Sequence, residues 1–157
     1  MKATITNQYS VFITNEAGAL KKFTSMLFGA GLNIIGLSSD ARYDAEVIKF
    51  IVEPTSEIST TEISHIVTRA GYTNAKTEVI CVEGESKADF IFEISTILGE
   101  AGINIDAVYG SCFEGERSRV FIVVDDIERA LRILNGNTAN QEEKEIEKKP
   151  FCSLAIF

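Results

Sequence analysis

The chain has 157 residues, of which 45% are hydrophobic, and carries a formal net charge of -8. This length suits one medium domain or two small ones, with enough apolar residues for a core. The acidic excess argues against broad nucleic-acid binding and against binding to anionic membranes, since both need a basic face. No apolar run reaches the roughly 20 residues of a membrane span, and no signal-peptide core follows Met1. We expect a soluble, cytoplasmic protein that binds neither nucleic acid nor membrane.

Residues that would indicate catalysis or metal binding are sparse. Cys81, Cys112 and Cys152 lie too far apart for a C-x-x-C pair, so we expect buried thiols and no metal site. His65 is the only histidine, and no P-loop, G-x-S-x-G or H-E-x-x-H pattern occurs. The sequence therefore predicts a protein that is not an enzyme and needs no cofactor.

The predicted elements start with a β-branched strand. Strands show alternation or β-branching, helices repeat apolar residues every three or four positions, and Gly or Pro marks their ends. The first strand is predicted at Thr4–Thr14, and a turn at Asn15–Gly18 leads to a helix with Leu20, Phe23, Leu27 and Ala30 that stops at Gly31. Two strands follow, at Leu32–Tyr43 and Glu46–Glu53, with a turn at Tyr43–Ala45 between them. The next elements are a helix with Ile58, Ile63, Ile66, Val67 and Ala70 that stops at Gly71, and a strand at Tyr72–Val82.

The chain then repeats itself. Gly31-Leu32-Asn33-Ile34 returns as Gly102-Ile103-Asn104-Ile105, 71 residues later, and Phe50-Ile51-Val52 returns as Phe121-Ile122-Val123 at the same offset. Such an ungapped match over this length indicates an internal duplication.

The second copy shows the same order of patterns. It begins with a helix at Lys87–Ala101 that has Ile91, Ile94 and Leu98 on the inner face. Strands follow at Ile103–Phe113 and Ser118–Val124, with a turn at Glu114–Glu116 between them. The last elements are a helix that begins at Asp125 and stops at Asn135–Asn137, a solvated loop at Asn140–Lys149, and a strand at Phe151–Phe157.

The order strand, helix, strand, strand, helix, strand is typical of a ferredoxin-like sandwich, with an antiparallel sheet and both helices on one face. We therefore predict an α+β fold of two tandem βαββαβ sandwiches, with domain 1 at residues 1–76 and domain 2 at 77–157. The open sheet faces and edge strands favour a homodimer.

The best candidate for a ligand site is the first strand-to-helix turn, which contains Asn15, Glu16, Ala17, Gly18, Ala19 and Leu20. Unpaired N–H groups at the helix N-terminus favour a carboxylate or phosphate. Gly18 allows close approach to the backbone, and the Asn15 amide can bind an ammonium or a carboxylate. A zwitterionic amino acid suits this place, whereas the alternative is that Asn15 only caps the helix.

Asn33 and Ile34 begin the strand after the first helix, and Asn104 is the counterpart of Asn33 in the second copy. That strand start lies at the opposite end of the helix from the turn, so Asn15 and Asn33 of one domain should not meet. Packing of two copies could join one turn to another strand start, which predicts a site at an interface. Alternatively, the asparagines only serve the turn after a glycine.

The turn, the helix and the Gly31–Ile34 segment together resemble the signature of the ACT domain family, which usually has proline where Ala17 stands. The likeness covers nearly the whole chain, as in stand-alone bacterial proteins made of an ACT pair. It implies amino-acid binding at interfaces between domains. In serine-sensing members, contacts come from positions that match Asn15 and Asn33. A histidine matches Ile13, so this chain suits a less polar amino acid.

The second copy departs from this signature, because Ser86 replaces Asn15 and Asp89 replaces Gly18. An aspartate at a helix start repels a carboxylate, so only Asn104 of this copy is expected to contribute to a site. The function we expect is a non-catalytic amino-acid sensor that modulates a partner enzyme of amino-acid metabolism.

Two alternatives remain at this stage. One is an obligate regulatory subunit that resembles the small subunit of acetolactate synthase, although the second half of that family does not repeat the Gly-x-Asn-Ile signature. The other is a small ferredoxin-like enzyme such as an acylphosphatase, although neither turn contains the arginine that its phosphate loop needs.

Overall fold

The computed structural model describes residues 1–53, 58–111 and 117–136. The described elements follow the predicted order and confirm an α+β fold. They are β1 (Lys2–Thr14), α1 (Ala19–Gly29), β2 (Ile34–Arg42), β3 (Ala45–Val52), α2 (Thr60–Arg69), β4 (Asn74–Glu85), α3 (Phe90–Glu100), β5 (Ile105–Ser111), β6 (Arg117–Val124) and α4 (Ile127–Leu134).

The six strands form one antiparallel sheet in the order β2-β3-β1-β4-β6-β5. Its centre is the long pairing of β1 with β4, which runs from Lys2 opposite Glu83 to Val11 opposite Asn74. The second half of β1 also pairs with β3, and the second half of β4 also pairs with β6. The described strands are thus continuous across the two copies, because each long strand serves both of them.

The predicted last strand, Phe151–Phe157, lies outside the described residues, as do Pro54 and the turn at Glu114–Glu116. The place beside the second half of β4, where a ferredoxin-like unit would put that strand, is filled by the first half of β1. Asn135, at the end of α4, holds this half: its Oδ1 accepts from the Ala3 N–H and its Nδ2 donates to the Ala3 carbonyl, both at 2.9 Å.

All four helices pack on one face of the sheet, over two apolar clusters. β1 contributes Tyr9, Val11 and Ile13 to one cluster and Ala3 to the other, and these odd positions lie on one side of the strand because side chains alternate along it. The members are Tyr9, Val11, Ile13, Phe23, Leu27, Leu32, Ile48, Phe50, Val52, Ile63 and Val67 in the first, and Ala3, Ile80, Val82, Phe90, Ile94, Leu98, Ile103, Val120, Ile122, Ala130 and Leu134 in the second. The prediction that Ile91 faces inward is wrong: Phe90 is buried and Ile91 is 41% exposed. Positions 90 and 91 lie four and three residues before Ile94, so the helical period allows either one on the inner face. The glycine at position 84 leaves the space that the Phe90 ring fills, and this packing buries Phe90.

The opposite face carries a third cluster, formed by Ile51, Val79, Cys81 and Phe121. It is buried without any helix, because the edge strands β2 and β5 lie against each other. Gly36 in β2 faces Phe121 in β6, where the ring occupies the space of a Cβ atom. The sheet therefore curls until its own edges cover this face.

The ungapped repeat does not hold in the third strand of each copy. Phe50 pairs with Tyr9, whereas Phe121 pairs with Cys81, which is the counterpart of Ser10. Phe50 consequently faces the helices and Phe121 faces the other side. One additional residue in the second copy between β5 and β6 explains the change, since a shift of one residue reverses every side chain of a strand.

Among the described residues, no helix has the length and apolar character needed to cross a membrane.

Candidate functional site

Asn15 joins the turn after β1 to the tip of the β2–β3 hairpin. Its backbone N–H donates to the Asp44 carbonyl and its Nδ2 donates to the Tyr43 carbonyl, each at 2.9 Å. Tyr43 has a positive φ of 54° and is 95% exposed. The alternative prediction, that Asn15 caps helix α1, is therefore wrong. The Asn15 Oδ1 accepts no hydrogen bond from the described residues.

The α1 helix begins immediately after Gly18, which occupies the N-cap position with φ 93° and offers no side-chain cap. This left-handed conformation favours glycine. The N–H groups of Ala19 and Lys22 donate to the carbonyls of Glu16 and Gly18. Those of Leu20 and Lys21 have no acceptor among the described residues, so two donors at the positive end of the helix remain available.

The exposed surroundings of this turn combine both signs of charge. Lys21 and Lys22 lie in the first turn of α1, which contains no acidic residue, and Glu16 precedes it. Free N–H donors and lysines suit a carboxylate, whereas the Asn15 Oδ1 suits an ammonium. The turn thus offers complementary groups for a zwitterion. Ala17 and Ala19 add only small side chains.

The corresponding turn of the second copy has different chemistry. Asp89 occupies the N-cap position of α3, and Glu85 forms an ion pair with Lys87 at 2.6 Å. Hydrogen bonding to Lys87 lowers the pKa of Glu85 below its usual value. A carboxylate ligand would meet Asp89 here, as the sequence predicts.

The two turns also differ in packing. In the first copy, Ile13 is large and Ala19 is small. Their counterparts are Gly84 and Phe90, and the ring of Phe90 takes the space that a side chain on Gly84 would need. Phe90 is 4% exposed. The first residue of the second-copy helix α3 is thus a buried phenylalanine, whereas the first residue of α1 is an alanine.

Asn33 and Ile34 lie at the other end of α1. The Asn33 Nδ2 donates to Glu53 Oε2, and its carbonyl accepts from the Glu53 N–H, both at 2.8 Å. Ile34 pairs with Val52 beside a register shift and packs on the first apolar cluster. Asn33 therefore ties the start of β2 to the end of β3.

Asn104 has a parallel arrangement in the second copy. Its backbone N–H donates to Asp125 Oδ1 at 3.1 Å, its carbonyl accepts from the Asp125 N–H, and its Nδ2 donates to Asp106 Oδ1 at 2.7 Å. A register shift again follows the first pair, Ile105 with Val124. Both asparagines are exposed although their amides already have acidic partners.

Within one chain, Asn104 lies far from the Asn15–Gly18 turn. Val124, beside Asn104, lies two residues beyond the Ile80–Ile122 pair and is level with Glu78, which pairs with Asn7. Asn15 follows Thr14, so about seven residues, or roughly 23 Å of strand, separate the two levels. The predicted site residues form two groups: the turn, and the strand starts.

Sequence reasoning missed Tyr43 and Asp44, whose carbonyls bind Asn15. They were predicted only as a turn between strands. A signal was available, because a βαββαβ unit puts the β2–β3 hairpin at the same end of the sheet as the β1–α1 turn.

No cluster of metal-ligating residues occurs within residues 1–53, 58–111 and 117–136. Burial is the main cause that raises the pKa of the Cys81 thiol to about 11, in agreement with the expectation of a buried thiol. Cys112 and Cys152 lie outside the described residues. His65 is exposed on α2.

No family model and no curated protein matches the sequence. Among solved structures, protein BT0572 from Bacteroides thetaiotaomicron is similar, with a TM-score of 0.75 and 17% identity over 86% of this chain and 90% of the other. The ligand-free regulatory subunit of aspartate kinase from Thermus thermophilus has a TM-score of 0.58 and 15% identity over 87% and 96%. The aspartokinase alpha and beta subunits give 0.59 and 15% over the same shares. These similarities show a shared fold.

Proposed function

We propose that this protein is a non-catalytic, ACT-like regulatory protein that binds an amino acid and modulates an enzyme of amino-acid metabolism. The observation that carries the proposal is the start of α1, where the Leu20 and Lys21 N–H groups have no acceptor, and Asn15 Oδ1 has no donor, among the described residues. The fold shared with the regulatory subunit of aspartate kinase from Thermus thermophilus supports a regulatory role.

In this proposal the chain is a tandem of two βαββαβ units, residues 1–76 and 77–157, that share the long strands β1 and β4. The ligand binds at the turn of the first unit, and a neighbouring domain completes the site. Because Asn104 of the same chain is far from the turn, the completing domain belongs to a second chain of a homodimer.

A thermal-shift screen with the twenty common amino acids tests ligand binding. A selective ligand raises the melting temperature, since it binds only the folded state. Asn15→Ala should abolish this shift. Ser86→Ala, the same position in the second copy, is the matched control and should retain it. Absence of a shift with every amino acid would contradict the proposal.

Asn15→Ala also removes the hydrogen bond to Tyr43, so its effect on folding must be separated from its effect on binding. Circular dichroism and melting without ligand measure the first, and isothermal titration calorimetry measures the second. The proposal expects a native spectrum with at least a tenfold weaker affinity.

A second candidate is an obligate regulatory subunit, like the small subunit of acetolactate synthase. The similarity to subunits of a kinase favours it. A stoichiometric enzyme recovered by affinity purification from the native host, with altered kinetics on addition of this protein, would support it. Recovery of this protein without a stoichiometric enzyme would favour a sensor that acts alone.

A further inference from the structure

The side chain of Asn135 takes the place of a strand at the edge of the sheet. Residues 2–8 of β1 pair with β4 on one side, whereas the pairing of β1 with β3 on its other side starts at Tyr9. Ala3 directs its N–H and its carbonyl to this other side, and the Asn135 amide binds both at 2.9 Å. These two hydrogen bonds, the Asn135 clamp, satisfy Ala3 as a strand partner would.

The residue that follows Asn135 makes its amide reactive. Gly136 comes next in the chain, and no other asparagine of the sequence precedes a glycine. Glycine has no side chain to hinder an approach to its backbone nitrogen. Both residues are exposed, so water and hydroxide reach them. Spontaneous loss of the side-chain amide is therefore favoured at the asparagine that holds β1.

This reaction, deamidation, involves atoms of the two residues, hydroxide and water. The Gly136 backbone nitrogen loses its proton to hydroxide and attacks Cγ of Asn135. The new bond closes a cyclic imide, the bond between Cγ and Nδ2 breaks, and ammonia leaves with a proton taken from water. Water then adds to either carbonyl of the imide and opens the ring. The products are aspartate and isoaspartate, and no oxidant or reductant is consumed.

The folded chain keeps the reacting atoms apart. The Asn135 amide cannot bind Ala3 and contact the Gly136 nitrogen at the same time. Asn135 has a φ of -88° and a ψ of 10°, and the Gly136 N–H donates back to the Ile133 carbonyl at 3.0 Å. Ring closure therefore requires that the amide leaves Ala3 and that the Gly136 N–H leaves its acceptor. Both changes need a local opening where α4 meets β1.

We propose that Asn135–Gly136 is a deamidation site controlled by β1, and that its reaction makes a transient opening of this edge permanent. Aspartate has no N–H to donate to the Ala3 carbonyl and places an acceptor against an acceptor. Isoaspartate routes the main chain through the former side chain and leaves a shorter carboxyl group. Neither product restores the Asn135 clamp. This modification goes beyond the proposed function and does not depend on it.

Peptide mapping by mass spectrometry, after incubation in mildly alkaline buffer, tests the site. The reference is a synthetic, C-terminally amidated peptide of residues 127–136, which contains the same Asn-Gly pair without β1. The folded chain should react at Asn135 about tenfold more slowly than the peptide, or more slowly still, because its reaction waits for the local opening. Equal rates in the chain and the peptide would overturn the inference, and this comparison needs no variant.

Ala3→Pro tests the control by β1. It removes the N–H that donates to Asn135 but no bond of the β1–β4 ladder, since this N–H faces away from β4. Deamidation should become about tenfold faster, which is the effect of one hydrogen bond on the opening equilibrium. Circular dichroism verifies that the variant is folded. A native rate of deamidation in a folded Ala3→Pro chain would contradict the proposal.

Ile5→Pro is the matched control. The backbone N–H of Ile5 faces the same side as that of Ala3, because the direction alternates along a strand, and it has no acceptor among the described residues. The substitution leaves the Asn135 clamp intact, so the rate of deamidation should stay native. Equal acceleration by Ile5→Pro and Ala3→Pro would show that general loosening, and not the clamp, controls the reaction, and would refute the proposal.

Asn135→Asp reproduces one product in every molecule. Hydrogen exchange at the Ala3 amide should become about tenfold faster, while exchange at Val11, in the other half of β1, should stay native. Native chains that have been aged in buffer and separated by their added negative charge should behave in the same way. Native exchange at Ala3 in both samples would overturn the claim that the modification frees β1.

Discussion

Gly36 of β2 lies directly against Phe121 of β6, and a Cβ atom on Gly36 would stand 2.5 Å from Cε2 of that ring. The two strands are not neighbours in the sheet, so this contact exists only because the sheet curls. It closes the apolar cluster around Ile51 and Val79 from water.

Gly36→Ala should therefore destabilise the protein by about 1–3 kcal/mol, since the buried ring must move to admit a methyl group. Urea denaturation measures the change. Gly29→Ala is the control, because its Cβ would meet no atom within 4 Å, and it should be neutral or stabilising. Phe121→Leu combined with Gly36→Ala should recover part of the loss. A neutral Gly36→Ala would refute the close contact.

Asn135→Ala should lower the free energy of unfolding by about 1–3 kcal/mol, because it removes two hydrogen bonds to the backbone of Ala3. Loss of these bonds frees the first half of β1 from α4. Hydrogen exchange detects this locally: the Ala3 amide should exchange faster in the variant, while the Val11 amide, in the other half of β1, serves as the internal reference. Unchanged exchange at Ala3 would contradict the clamp.

Two Ser→Ala substitutions should have different effects on stability. Ser118 is fully buried in β6, and its hydroxyl has no partner among the described residues, so Ser118→Ala should be neutral or stabilising by up to about 1 kcal/mol. Ser59 caps α2 in a capping box with Glu62, so Ser59→Ala should cost about 1 kcal/mol. Thermal melts of the two variants compare them directly. A destabilised Ser118→Ala would mean that the hydroxyl has a partner.

Tyr109 should make stability fall at alkaline pH. Burial raises the pKa of its phenol above its usual value, and the phenol donates to Gln8 Oε1 at 2.7 Å. In the unfolded chain it ionises near pH 10, about its ordinary value, while in the folded chain it stays protonated. Its contribution is therefore complete below pH 10 and decreases as the pH rises beyond it.

Denaturation between pH 8 and pH 11 measures this effect. The native chain should lose stability more steeply above pH 10 than Tyr109→Phe, which has no phenol to ionise. Equal slopes would exclude a role for Tyr109.

For the candidate site, the sequence predicted the turn and its glycine, because a left-handed residue before a helix is a local property of Gly18. It did not predict the contact of Asn15 with Tyr43, and it left open whether Asn15 caps the helix. That choice depends on the hairpin, which lies 28 residues further along the chain.

The sequence by itself determined the order of the described strands and helices and the repeated Gly-x-Asn-Ile segment, since apolar periodicity and glycine positions act over a few residues. Only the tertiary structure decided that β1 and β4 join both copies in one sheet, and that Phe50 and Phe121 face opposite sides. Strand partners and register depend on burial of both sheet faces together, and a shift of one residue leaves the local pattern unchanged while it reverses the strand.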